Sequence, residues 1–271
     1  MMFLALAMVM VFASLSESPE IFSWVHAQVA IPARLATFIQ KPWTIITYAF
    51  VHDLSSIWHI LFNMLVFYWF GKLFVEYLGS DKLIALYILG ALTGAIFYLV
   101  VYNTIPFYQA RIPGLGMVGA SAAVYAVLVG VATLLPDYTF FLMFFGAVRI
   151  KYIAFIYIVI SFIGSVGLNA GGNVAHLGGA LIGYVYIKQL QAGVNWGSWI
   201  TATLDWFKRL FSASPRVKVT YRKAEPQAKP TERISKATQE EIDAILDKIS
   251  DRGYESLSKE EKEKLFNASK K

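Results

Sequence analysis

The sequence predicts an all-α, polytopic membrane protein, and three observations carry that expectation. Of the 271 residues, 57% are hydrophobic and only 15% charged, with a mean hydropathy of +0.53, which is not the balance of a soluble globular domain. Long uncharged runs recur between short polar turns, several of them long enough for a helix crossing about 30 Å of hydrocarbon. Most charged residues lie after Trp206, so the net charge of +6 belongs largely to a tail. Lys and Arg near helix ends argue for cytoplasmic retention of those ends, not for nucleic-acid binding. Cysteine is absent, which excludes disulfides, thiolate metal sites and a cysteine nucleophile.

The first apolar run covers residues 1–15. No basic segment precedes it and no small-x-small cleavage site follows it, so it reads as a first membrane helix and not as a cleaved signal peptide. Residues 17–56 carry Pro19, Pro32 and Pro42 among Trp24, Phe38, Trp43 and Tyr48, the mixture expected of a half-immersed loop with short helices at the lipid boundary. The second span is 57–78, with His59 and Asn63 four apart on one face near its start. A third span covers 83–101. It ends at Asn103 and a Pro/Gly-rich loop through Gly116.

The fourth span opens with Gly119-Ala120-Ser121 and runs towards Leu135, where Pro136 stops it. Residues 138–150 are apolar but too short to cross and are closed by Arg149 and Lys151, so they read as an interfacial loop. The fifth span is 152–168. The sixth begins near Val174, carries His176 in its first turn and reaches Ile187.

Span order alone brings the polar residues together. With a cytoplasmic N-terminus, the second, fourth and sixth spans all run inward, so His59, Asn63, Ser121 and His176 fall at one shallow depth on the outer side. Loop charge favours that orientation: Lys72, Lys82, Arg149, Lys151, Lys188 and the basic tail lie inside, against Arg34, Lys41 and Arg111 outside. Both termini are then cytoplasmic.

Polar and ionisable side chains inside membrane helices are costly and usually face an interior cavity. Serine among small residues also serves helix packing, but two histidines, an asparagine and a serine on three helices suit acyl transfer. His176 takes the proton of the Ser121 hydroxyl, which attacks a carbonyl. His59, Asn63 and the Ser121 backbone N–H are the candidate oxyanion donors. No carboxylate is placed to orient His176, so the site reads as a dyad. Tyr125, on the same face as Ser121, packs against the imidazole. Other membrane chemistries fit less well: there is no His-Glu-x-x-His, Asp53, Asp81 and Asp137 lie at or near helix ends, and no internal repeat suggests a transporter.

These residues form an ordered pattern: Pro42-Trp43-Thr44 leading to Thr47-Tyr48, His59-Ile60-Leu61-Phe62-Asn63, Gly119-x-Ser121, and Ala175-His176-Leu177-Gly178-Gly179 with Gly183. The chain resembles the rhomboid intramembrane serine proteases over residues 1–191. The resemblance implies a six-transmembrane-helix rhomboid fold, a Ser121/His176 dyad, oxyanion help from His59 and Asn63, a lateral gate for transmembrane protein substrates, and no cofactor or metal. Gly179 and Gly183, in small-xxx-small spacing, are expected to let the sixth helix approach the fourth. One departure stands out: position 122 is Ala where the family carries Gly, and the extra methyl is expected to be tolerated. The expected activity is that of a serine endopeptidase cutting transmembrane segments near the outer face. The rival is a catalytically silent rhomboid-like scaffold that binds membrane helices.

Residues 192–235 read as an interfacial segment with Trp196, Trp199, Trp206 and Phe207, followed by a basic linker that is either simply solvated, the usual reading of a charge run, or drawn to anionic lipid. Residues 236–271 read as a small helical cytoplasmic tail whose partner the sequence does not name. Capping boxes at Thr238-x-x-Glu241 and Ser258-x-x-Glu261 start its two helices. The compact six-span plan suggests a bacterial inner membrane.

Overall fold

The computed structural model describes residues 19–52, 57–142, 146–211 and 236–269. It divides into two compact units, one ending at Ser214 and one beginning at Pro215. The predicted first span, residues 1–15, lies outside the described residues.

In the larger unit the connection before the second span folds as α1 (Pro19–Val29), α2 (Leu35–Gln40), α3 (Thr44–Thr47) and a 3-10 turn over Tyr48–Phe50. Next come α4 (Ile57–Leu78) and α5 (Ser80–Thr104), joined through Gly79 alone, whose φ of 85° is a left-handed conformation that suits glycine. A short α6 (Pro106–Gln109) precedes α7 (Ser121–Leu134), and α8 (Ile150–Gly164), α9 (Ala170–Gln191) and α10 (Ser198–Phe211) follow. Among the described residues two helices, α4 from Trp58 and α5, are long and apolar enough to cross a membrane, while α7 and α8 are apolar but only 14 and 15 residues long.

Helix α7 is the axis of the unit, and every residue from Ala122 to Ala132 on it is buried. Lipid is as apolar as leucine, so helices in a bilayer associate through close packing, and small residues permit it. Two glycine pairs grip α7 from opposite partners. On α9, a Cβ at Gly179 would strike the Ala122 carbonyl, and one at Gly183 the Ala126 carbonyl. On α5, Gly90 lies against Ala123 and Ala126, and Gly94 against the Ala122 methyl. The expected role of Gly179 and Gly183 is thus matched by a second pair on α5.

Backbone-directed bonds brace the segment 19–52 internally and, through Tyr48, tie it to the bundle. Thr47 Oγ1 donates to the Val29 carbonyl at 2.9 Å, Trp43 Nε1 to Gln28 at 2.9 Å, and the buried Tyr48 hydroxyl to Ala91 at 2.6 Å. Ile31 and Met117 exchange backbone hydrogen bonds of 3.0 and 2.9 Å, which ties the approach to α7 to the loop.

Three elements differ from the sequence expectation. Residues expected as an interfacial loop form an antiparallel pair, β1 (Thr139–Leu142) and β2 (Gly146–Arg149). Gly146 turns the chain with φ of 68°, and Asp137 closes the base through Lys151 at 2.7 Å and Arg149 at 3.2 Å. Helix α9 starts at Ala170, so His176 lies in its second turn and not its first. The helix thus takes in Gly171, which lies against Tyr98 and Tyr102 with no room for a side chain. In the tail, α11 (Lys236–Arg252) begins two residues before the predicted Thr238 cap.

The tail unit continues past Gly253, with φ of 76°, through a 3-10 turn to α12 (Lys259–Ser269). Here the predicted box forms: the Ser258 N–H donates to Glu261 Oε2 at 2.7 Å and the Glu261 N–H to Ser258 Oγ at 3.3 Å. Lys248 of α11 reaches the same carboxylate at 2.9 Å. The Lys248 ammonium, and then the Ser258 N–H, hold Glu261 down at about 2.

Two predictions follow from this packing. Gly179→Val forces α9 away from the Ala122 carbonyl, and the cost is about 3 kcal/mol or more, read as a lower thermal unfolding temperature in detergent. In the tail, Glu261 has a folded pKa below its ordinary 4.5, so its contribution is present above that value and is lost as pH falls through about 2. Amide protection over 259–269, relative to the intrinsic exchange rate at each pH, therefore falls across that window in the wild type. In Glu261→Gln it is already low at neutral pH and changes little on acidification.

Candidate functional site

The path into α7 sets the position of the serine. Gly119 has φ of 139° and donates its N–H to the Tyr48 carbonyl at 2.9 Å, which turns the chain so that Ser121 is the first helical residue. No side chain caps this helix start at Ala120, and the first backbone N–H groups of a helix have no partner within it. The helix dipole adds partial positive charge at the same point.

His176 is buried on α9, and its Nε2 lies 2.7 Å from Ser121 Oγ. Tyr125, one turn after Ser121, stacks on the imidazole with ring centroids 4.3 Å apart and planes 11° from parallel. On the far side of the ring, Ser161 of α8 places its Oγ 3.1 Å from His176 Nδ1 and 2.8 Å from the Tyr125 hydroxyl. That hydroxyl donates in turn to the Tyr157 carbonyl at 3.3 Å.

A cavity of about 380 Å³ has Ser121 and His176 on its wall together with His59, Asn63, Tyr125 and Tyr157. His59 is half-buried near the start of α4. The Asn63 amide donates one N–H to the His59 carbonyl at 2.9 Å, which fixes the side chain and leaves its second N–H for a ligand. A second cavity, of about 450 Å³, reaches His59 from the loop side, between Phe22, Tyr98 and Met117. Behind His59, burial and then His59 itself push the His52 imidazole down to about 4, so His52 is neutral at neutral pH. Trp58 and Phe62 of α4 are largely exposed at the rim of the smaller cavity.

The structure brings together all eight sequence-predicted site residues, five on the cavity wall and three behind it. Gly119 shapes the turn before Ser121, while Gly179 and Gly183 allow the helix approach that joins the two side chains. The departure at position 122 is accommodated away from the cavity: the Ala122 methyl is buried against Gly94 of α5. Sequence reasoning missed Ser161 and Tyr157. Their spacing was the one signal in the sequence: the two are four apart and so share a face of α8, which the fold turns towards the imidazole.

The Rhomboid domain family matches residues 40–191, and a family of unknown function matches 233–271. The chain is similar to RHOMBOID-like protein 12, mitochondrial, of Arabidopsis thaliana, with 35% identity over 163 residues, 55% of this chain and 47% of that protein. It is also similar to Rhomboid protein 1, mitochondrial, of Saccharomyces cerevisiae, with 30% identity over 161 residues, 55% of this chain and 42% of that protein. The chain thus spans less than half the length of these two curated relatives.

Proposed function

The chain belongs to the rhomboid family, and on that premise we propose that it is an intramembrane serine endopeptidase that cuts transmembrane segments of other membrane proteins. The observation that supports this most is the 2.7 Å contact between Ser121 Oγ and His176 Nε2 inside a cavity that also holds His59 and Asn63. The six-span plan is part of the proposal. Helices α4, α5, α7, α8 and α9 supply five spans, and the expected first span, residues 1–15, lies outside the described residues. Helix α7 has 14 residues, and at about 1.5 Å each it is about 21 Å long, so its serine end stops well short of one face of a hydrocarbon layer of about 30 Å. Ser121 is then recessed, with water reaching it from that face.

In the proposed reaction the Ser121 proton passes to His176 Nε2 as Oγ bonds the scissile carbonyl carbon. The oxyanion is stabilised by the Ser121 N–H, His59 and the remaining Asn63 N–H. Collapse breaks the C–N bond, and Nε2 returns the proton to the leaving amine. Water, deprotonated by the same nitrogen, then hydrolyses the acyl ester. A helical peptide carbonyl is hydrogen-bonded and shielded, so the substrate must unwind locally, and segments with small or helix-breaking residues are favoured. Trp58 and Phe62 on one side and Tyr157 on the other frame the proposed lateral entry. Both relatives carry "mitochondrial" in their names, so the expectation of a bacterial inner membrane gains no support from them.

A fluorophosphonate probe separates the protease from a silent scaffold. Wild-type protein is labelled and Ser121→Ala is not, while cleavage of a generic transmembrane substrate disappears in that variant without loss of thermal stability. An unlabelled, inactive wild type refutes the protease. Replacing His59 with Ala lowers kcat on the order of 100-fold with little change in KM, because an oxyanion donor acts chiefly in the transition state. A pure KM effect removes His59 from that role.

A further inference from the structure

The imidazole of His176 is held from behind by a hydroxyl chain, and the polarity of that chain can be read from its end. A backbone carbonyl can only accept, so at the Tyr157 carbonyl the hydrogen comes from the Tyr125 hydroxyl, 3.3 Å away. With its one hydrogen committed, the Tyr125 oxygen accepts from Ser161 at 2.8 Å. The Ser161 hydrogen is then committed too, and its oxygen, 3.1 Å from His176 Nδ1, is left as an acceptor. Nδ1 must therefore carry the hydrogen. In a neutral imidazole that leaves Nε2 bare, and Nε2 is the nitrogen that faces Ser121 Oγ at 2.7 Å.

We propose that Ser161 is a positioning residue that makes the dyad an uncharged triad: it fixes His176 in the Nδ1–H tautomer, with the bare nitrogen turned to Ser121. This rests on the protease reading for its effect on turnover, but the tautomer itself does not depend on it. The burial of the parts favours a built relay over chance contact. Ser161 is 0% exposed and His176 8%, so neither exchanges its partner for bulk water. Tyr125 supports the same arrangement twice, its ring by stacking on the imidazole and its hydroxyl by accepting from Ser161. A neutral acceptor suits this depth, because a carboxylate in the same place would be a buried charge in an apolar surrounding. Ser161 accepts from Nδ1–H both before and after Nε2 gains the serine proton. It therefore orients the ring throughout the cycle without itself exchanging a proton with substrate.

The test uses the full chain in detergent with its four histidines labelled with ¹⁵N. The His176 signals are identified by their loss in His176→Ala. In the wild type, Nδ1 gives the shift of a protonated nitrogen and Nε2 that of a bare one, and in Ser161→Ala this single tautomer is lost. In parallel, Ser161→Ala lowers kcat against a transmembrane substrate by roughly 10- to 100-fold with KM unchanged, the range set by loss of one buried hydrogen-bond partner. Ser161→Thr, which keeps the hydroxyl, recovers most of that loss, and adding Tyr125→Phe to Ser161→Ala costs nothing further because the chain is already broken. A protonated Nε2 in the wild type overturns the proposal, as does wild-type kcat in Ser161→Ala. A wild type that cuts nothing defeats the protease reading alone, and the tautomer measurement then decides the relay.

Discussion

The site depends on one steric fact: α9 can lie against the backbone of α7. Gly179 and Gly183 have no Cβ to meet the Ala122 and Ala126 carbonyls, so the two helices approach until peptide groups, not side chains, set the distance. Peptide groups are stiff, and their separation is therefore reproducible in a way that a side-chain interface is not. His176 stands one turn before Gly179 on α9, and Ser121 immediately before Ala122 on α7, so this close backbone approach lies beside the Ser121–His176 contact. The second glycine pair, Gly90 and Gly94 on α5, holds α7 from another side and keeps it from yielding to α9.

Much of this was legible in the chain. The helices α4, α5 and α7 follow largely apolar runs that end at Gly79, Asn103 and Pro136, and His59 and Asn63 fall on one face by spacing alone. Gly179 and Gly183 announced a close crossing because four residues return to the same face of a helix. The misses have physical causes. Residues 139–149 show no alternation of apolar and polar positions, and their pairing depends on Gly146 and on Asp137 meeting Lys151, neither of which a periodicity test detects. The expected start of α9, near Val174, is too late, because the packing of Gly171 against Tyr98 and Tyr102 shows only in the assembled bundle. Ser161 was passed over because a lone hydroxyl in an apolar helix has many uses, and its partner, an imidazole on another helix, exists only once the bundle is assembled.

The long segment before α4 is more than a connector. Its bonds from Thr47, Trp43 and Tyr48 end on backbone carbonyls, and the paired bonds of Ile31 with Met117 brace the loop that delivers Gly119. Side chains that would otherwise wander at a lipid boundary are spent on holding main chain. This makes the serine turn a rigid feature supported from two directions, by the loop ahead of it and by the glycine-lined helices behind.

The shortness of α8 has a consequence for the lipid around the molecule. Its 15 residues amount to about 22 Å, whereas the 25 of α5 amount to about 37 Å. Phe155, Ile156, Phe162 and Ile163 on α8 are exposed. On the six-span plan, acyl chains beside α8 must shorten or tilt to match it, so the bilayer is thinner on that flank than beside α5. A foreign helix of ordinary length drifting into the compressed zone no longer fits within hydrocarbon. Its end is pushed towards the headgroups, where main-chain amides can exchange their internal partners for water.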